Sequence, residues 1–117
     1  MLIGVDKVDV MHISQELYQG SKRLEQGSNE IFLLAKAMAE TERDYRSALA
    51  KEKIILKTDG MAIGLINDVA MGNVSELKFK RDLAELQYQA GRDSMRAIQS
   101  QLTALQSILR NMREVGE

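Results

Sequence analysis

Apolar and small residues recur every seven positions through the last third of the chain, at Leu77, Ala84, Gly91, Ile98, Leu105 and Met112. A second row four residues on reads Arg81, Tyr88, Met95, Leu102 and Leu109. Together they make one heptad seam with a single charged exception, Arg81. From Asn73 to Glu114 there is no proline and one glycine, so nothing stops the helix that this spacing predicts over about 73–114. Asn73-Val74-Ser75-Glu76 reads as its start, with Asn73 accepting from a first-turn amide and Glu76 reaching back to the cap.

The first half carries a matching pattern. Val10, Leu17, Leu24, Ile31, Met38 and Tyr45 form one row, and Ile13, Gly20, Gly27, Leu34, Thr41 and Ala48 the other. The spacing predicts a long helix over about 10–57, after residues 1–8, which are short, mixed and uncapped and expected to be flexible unless a partner holds them. Gly20 and Gly27 admit two readings. Small residues seven apart let another backbone approach closely, yet each glycine costs about 1 kcal/mol against alanine. Gln26-Gly27-Ser28-Asn29-Glu30 also reads as a stop followed by a new cap, so a weak point or break is expected near Gly27, with a firmer helix from Ser28 or Asn29 onward.

Thr58-Asp59-Gly60 closes that helix, with Lys53 and Lys57 in its last turns and Gly60 suited to a left-handed cap. The next twelve residues, Met61 to Gly72, are almost wholly apolar. They read either as a short helix (61–71) buried across the long ones or as an exposed adhesive tip. The buried reading is taken, because a second apolar row on the last helix, Phe79, Leu83, Leu86 and Ala90, is left over to receive it. The expected fold is all-α: a single domain over 1–117, built as a long antiparallel, coiled-coil-like helical hairpin with a short apolar helix between the long ones. Leu17, Leu24, Ile31, Leu34, Met38 and Tyr45 on the first helix are its expected packing or oligomer interface. On the last helix the corresponding residues are Leu77, Tyr88, Met95, Ile98, Leu102, Leu105, Leu109 and Met112.

Size makes association part of that expectation. A helix over 73–114 is roughly 60 Å long at about 1.5 Å per residue and hides only a stripe. A 117-residue chain spent on such helices needs another copy or another protein to complete its burial. Composition agrees: there is no proline where average usage gives about six, no tryptophan, and only two Phe and three Tyr, while seven Met suit an adaptable interface. Sixteen bases against 17 acids leave a net charge of -1, so nothing global drives the chain to nucleic acid or anionic lipid. The absence of cysteine excludes disulfides, thiolate zinc sites and cysteine nucleophiles. No stretch has the length of a membrane span and the first residues do not read as a signal peptide, so a cytoplasmic location and no membrane partner are expected.

No constellation for chemistry emerges. His12 with Glu16 has the spacing of a metal pair but lacks a third ligand, and no Ser-His-Asp set can be built around the single histidine. Gly60-x-x-x-Gly64 lacks the lysine of a phosphate loop. Acids alternate with bases at helical spacing, as in Glu42 with Arg46, Glu76 with Lys80 and Arg81 with Glu85, in the manner of surface pairs. A non-enzymatic protein without cofactor or metal is expected. The one uneven charge distribution lies beside the turn: Arg43, Arg46, Lys51, Lys53 and Lys57 against Asp44 and Glu52, then Lys78, Lys80 and Arg81 with no acid between them. Antiparallel helices bring these clusters together as a patch of net charge +6, a candidate contact for nucleic-acid phosphates, although solvation of a helix surface explains a charge run equally well.

Four stretches also carry a resemblance. They are Tyr45-x-x-Ala48-Leu49-Ala50-Lys51, Gly60-x4-Leu65-Ile66-x-Asp68-x-Ala70-x-Gly72, Phe79-x-Arg81-Asp82-x-Ala84-Glu85-x-x-Tyr88-x-Ala90 and Leu105-Gln106-Ser107-Ile108-Leu109-Arg110. Across residues 38 to 113 the chain resembles a family of small helical proteins from tailed bacteriophages and prophages. Its plan of long helix, short apolar helix and long helix is also similar to that of UvsY-type recombination mediators. Those proteins form rings and help load a recombinase on single-stranded DNA. The heptad seams, the local bases and this resemblance together lead to the expectation of a homo-oligomeric accessory protein of a phage DNA replication or recombination module, working in the host cytoplasm on single-stranded DNA or on a replication or recombination protein. Two other classes stay open: a protein-binding adaptor or inhibitor of a host factor, and a structural component of a virion or secretion assembly.

Overall fold

A computed structural model describes residues 6–116, which form three α-helices and no strand: α1 Asp6–Thr58, α2 Ile63–Asn73 and α3 Ser75–Gly116. The chain is all-α. Helix α1 begins at Asp6, inside the stretch 1–8 expected to be flexible, and residues 1–5 lie outside the described residues.

α1 passes through Gly27 without interruption, which corrects the break expected there. Ser28, read as a new cap, instead donates its hydroxyl to the Leu24 carbonyl one turn back at 3.0 Å. Thr41, Thr58 and Thr103 do the same to Ala37, Ile54 and Gln99. A hydroxyl satisfied in this way has no reason to leave the helix, so these residues, poor helix formers by propensity, are carried inside it.

The chain divides into two compact units, Met1–Ile31 with Gly91–Glu117, and Phe32–Ala90. In the first, the early part of α1 lies antiparallel to the late part of α3: Gly20 meets Leu102 and Gly27 meets Met95, one heptad apart on both helices. The glycines are where the α3 side chains enter. A Cβ at Gly20 would stand 3.2 Å from Cγ of Leu102 and closer still to its Cδ2, and one at Gly27 would collide with the Met95 sulfur. The close-approach reading of the two glycines therefore describes this unit.

In the second unit the chain reverses. At the end of α1 the amide of Met61 donates to the Leu56 carbonyl and that of Gly60 to the Lys57 carbonyl, both at 3.1 Å. Gly60 has φ +87, so this is a Schellman cap with glycine at its left-handed position. α2 follows and passes into α3 through Val74 alone. Asn73 does not cap α3. It is the last residue of α2, its side-chain amide donates to Glu52 of α1 at 2.9 Å, and the Val74 carbonyl receives the Leu77 and Lys78 amides. Leu56, Ala70, Val74, Ala84 and Tyr45 are the buried apolar residues here.

α2 is not buried on the second row of α3. Ile63 is 84 % exposed, and Phe79 and Leu86, expected to receive α2, are 60 % and 62 % exposed. The reason is the junction. A single residue at φ -109, ψ 21 separates α2 from α3, and it cannot fold an 11-residue helix back onto a row that begins five residues later.

Candidate functional site

The unit Phe32–Ala90 holds both features that sequence patterning marks for function, the basic clusters and the leftover apolar row. Tyr45 of α1 is 6 % exposed, and the Arg81 guanidinium of α3 lies over its ring, 4.5 Å from the centroid. The one charged residue on the α3 seam is thereby accommodated: its stem packs and its charge faces an aromatic surface. Arg81 also donates to Asp82 at 2.9 Å and reaches Glu42 of α1 at 3.5 Å, while Glu42 accepts from Arg46 at 2.6 Å. Hydrogen bonds from Arg81 and then from Lys78 hold the Asp82 carboxyl below its ordinary range. The bond to Asp82 is the chief reason that the Arg81 pKa is raised. Arg81 thus pairs with Asp82 and Glu42; the expected i, i+4 partner Glu85 is not the one used.

The two basic clusters do share this unit, but much of their charge is compensated. Arg43 lies on Asp44 at 3.1 Å, Arg46 on Glu42, Lys78 on Asp82 at 3.1 Å, and Arg81 on both Glu42 and Asp82. Glu42 and Asp82 flank the stretches over which a charge of +6 is reckoned, and they supply what that reckoning leaves out. Lys51, Lys53, Lys57 and Lys80 remain without an ion-pair partner among the described residues.

Apolar surface is the more prominent feature. Phe79, Leu83 and Leu86 are exposed along α3, Ile63 and Leu65 on α2, and Phe32, Leu33, Ile54 and Ile55 on α1. Two residues beyond a seam position is about 200° around a helix, so Phe79 and Leu86, two beyond Leu77 and Ala84, face away from α1. The row on α3 is legible from its spacing, whereas the α1 residues form no row of their own and are visible only as apolar positions off the seam. No large side chain of the described residues is fully buried.

In the other unit Leu17, Leu24, Ile31, Met95, Ile98, Leu102, Leu105, Leu109 and Met112 are half-buried, as Leu34, Met38, Leu77 and Tyr88 are in this one. An open depression of about 280 Å³ is lined by Ser28, Ile31, Arg92, Met95 and Arg96. His12 Nε2 stands 3.6 Å from Glu16 on an exposed face, and the described residues contain no group of three or more potential metal ligands. No described helix is long and apolar enough to cross a membrane.

No protein-family model, curated protein or solved structure matches the chain.

Proposed function

We propose that this chain is a non-catalytic helical assembly protein that works by protein–protein contact and is completed by other copies of itself. The observation that carries the reading is the uncovered apolar surface of the unit Phe32–Ala90, where Ile63, Leu65, Phe79, Leu83 and Leu86 stand in solvent and no large side chain among the described residues is fully buried. Large apolar side chains left exposed in this number support an interaction surface. Heptad seams that stay half-buried within each unit support the same view, since coiled-coil assemblies close such seams with further helices. The test is the absolute mass by light scattering at rising protein concentration. A multiple of 13.1 kDa is expected, and a 13.1 kDa particle even at high concentration would sink the reading.

A second reading has its own observation. Lys51, Lys53, Lys57 and Lys80 carry no ion pair among the described residues, and repetition of four such lysines around an assembly offers multivalent phosphate contact. Together with the resemblance to small phage proteins and to the plan of UvsY-type mediators, this supports a role for the assembly in a phage DNA replication or recombination module. The same light-scattering run with a single-stranded oligonucleotide at low salt tests it. Reversal of the four lysines to glutamate abolishes a salt-sensitive mass shift if they make the contact, and no shift in the wild type removes this reading while leaving the first intact.

A further inference from the structure

We propose that the outer row of α3 pairs with the same row of a second copy, antiparallel about a two-fold axis between Leu83 and Leu86. This rests on the self-assembly reading above and specifies its contact. Phe79, Leu83, Leu86 and Ala90 are spaced four, three and four residues apart, the step of a coiled-coil seam, and all four are exposed. The row faces away from the seam that α3 shares with α1, so a second helix can lie on it without disturbing the fold.

The row is complementary to itself in one direction. Run antiparallel with the axis at its centre, Leu83 meets Leu86 of the partner copy and Phe79 meets Ala90, so the largest side chain of the row faces the smallest. Each contact occurs twice, as a two-fold interface requires. The flanking positions fit as well: Lys80 falls beside Gln87 and Asp82 beside Gln89, with no like charges opposed along the centre. Like charges meet only at the ends, where Glu76 falls opposite Asp93, and these acids mark the limits of the seam. A parallel pairing would instead set Phe79 against Phe79 and Ala90 against Ala90, crowding one end of the row and leaving the other empty.

Area sets the expected strength. The open surface of Phe79, Leu83 and Leu86 is roughly 300 Å² per copy, which puts the pair at the small end of protein–protein contacts. The pair is therefore expected to be weak and to depend on concentration, so a concentration series is needed to see it.

The register is tested with cysteine variants, because the chain has no cysteine of its own. Leu83→Cys and Leu86→Cys are made separately in the full chain, checked for helicity, and oxidised alone and as an equimolar mixture at about 200 µM. A covalent dimer is expected from the mixture and not from either variant alone. Cross-linking of each variant with itself, or none in the mixture while the wild type is dimeric by mass, overturns the antiparallel register and leaves the self-assembly reading standing. A wild-type mass of 13.1 kDa at that concentration overturns both. Asp93→Lys supplies a second readout that leaves the apolar row untouched. Facing Glu76, it tightens the dimer by about fivefold at low salt, and Glu76→Lys added to it cancels the gain; an unchanged or weakened dimer in Asp93→Lys overturns the register.

Discussion

Met95 fills the space above Gly27: its sulfur occupies the position from which a Cβ on residue 27 would exclude it. Leu102 stands in the same relation to Gly20, seven residues earlier on α1 and seven later on α3. The two pairs fix how the antiparallel helices of this unit interlock, and they differ in how readily they give. Methionine is unbranched and can move its thioether, whereas leucine branches next to the contact.

Gly27→Ala is therefore expected to lie within about 1 kcal/mol of the wild type, the helix-propensity gain of about 1 kcal/mol offsetting the displacement of Met95. Gly20→Ala should be the more costly of the two, and Gly27→Leu should cost about 1–3 kcal/mol. Urea midpoints at one fixed protein concentration measure the series; equal costs at the two glycines would contradict the assignment.

Tyr45 is the most enclosed aromatic residue of the described chain and supports Arg81 on its face. Tyr45→Ala is expected to lose about 3 kcal/mol of stability, and Tyr45→Phe, which keeps the ring, less than about 1 kcal/mol. Arg81→Lys should lower the thermal midpoint although it keeps the charge, because an ammonium cannot reproduce the flat guanidinium contact or the fork onto Asp82. At 24 % exposure the Arg81 side chain makes these contacts at the edge of the packed region.

Acid should act through Asp82. Its carboxyl is held below the usual range in the folded chain, so its contribution to stability is complete above the ordinary carboxylate pKa of about 4 and is lost as pH falls through the lowered value. Asp82→Asn is expected to destabilise the protein at pH 7 and to converge on the wild type as the pH falls through that lowered value. Denaturant midpoints of both proteins across that range give the comparison, and a constant difference would show that Asp82 acts otherwise.

Gly60 has φ +87 and nothing within 4 Å of a would-be Cβ, so a substitution there tests backbone strain alone. Gly60→Ala is expected to cost about 1–2 kcal/mol, and Gly60→Asn less, since asparagine visits the left-handed region more readily. Equal stability of all three proteins by thermal melting would place the strain elsewhere.

How far the sequence is legible depends on whether a feature is local. The i, i+4 pair Glu42 with Arg46 is readable from spacing and forms at 2.6 Å, as the glycine cap at Gly60 is readable from Thr58-Asp59-Gly60. Glu42 with Arg81 and Glu52 with Asn73 are not readable, because each joins α1 to a later part of the chain and depends on the relative stagger and rotation of the helices. The same dependence explains Asn73. Its capping-box spacing is genuine, but an acceptor on α1 competes for the side chain, and Val74 caps α3 with its backbone.

By itself, the sequence determined the helices and the faces they use on one another, because the absence of proline and the heptad rows act within a few residues along the chain. Only the tertiary structure decided that α1 continues through Gly27, that α2 leaves the outer row of α3 uncovered, and that acids of neighbouring turns and of the facing helix take up half of the clustered bases. Each of these turns on a contact between segments distant in sequence or on the geometry of one junction residue. Heptad spacing is silent on both, because it records which face of a helix is apolar and not what comes to lie against it.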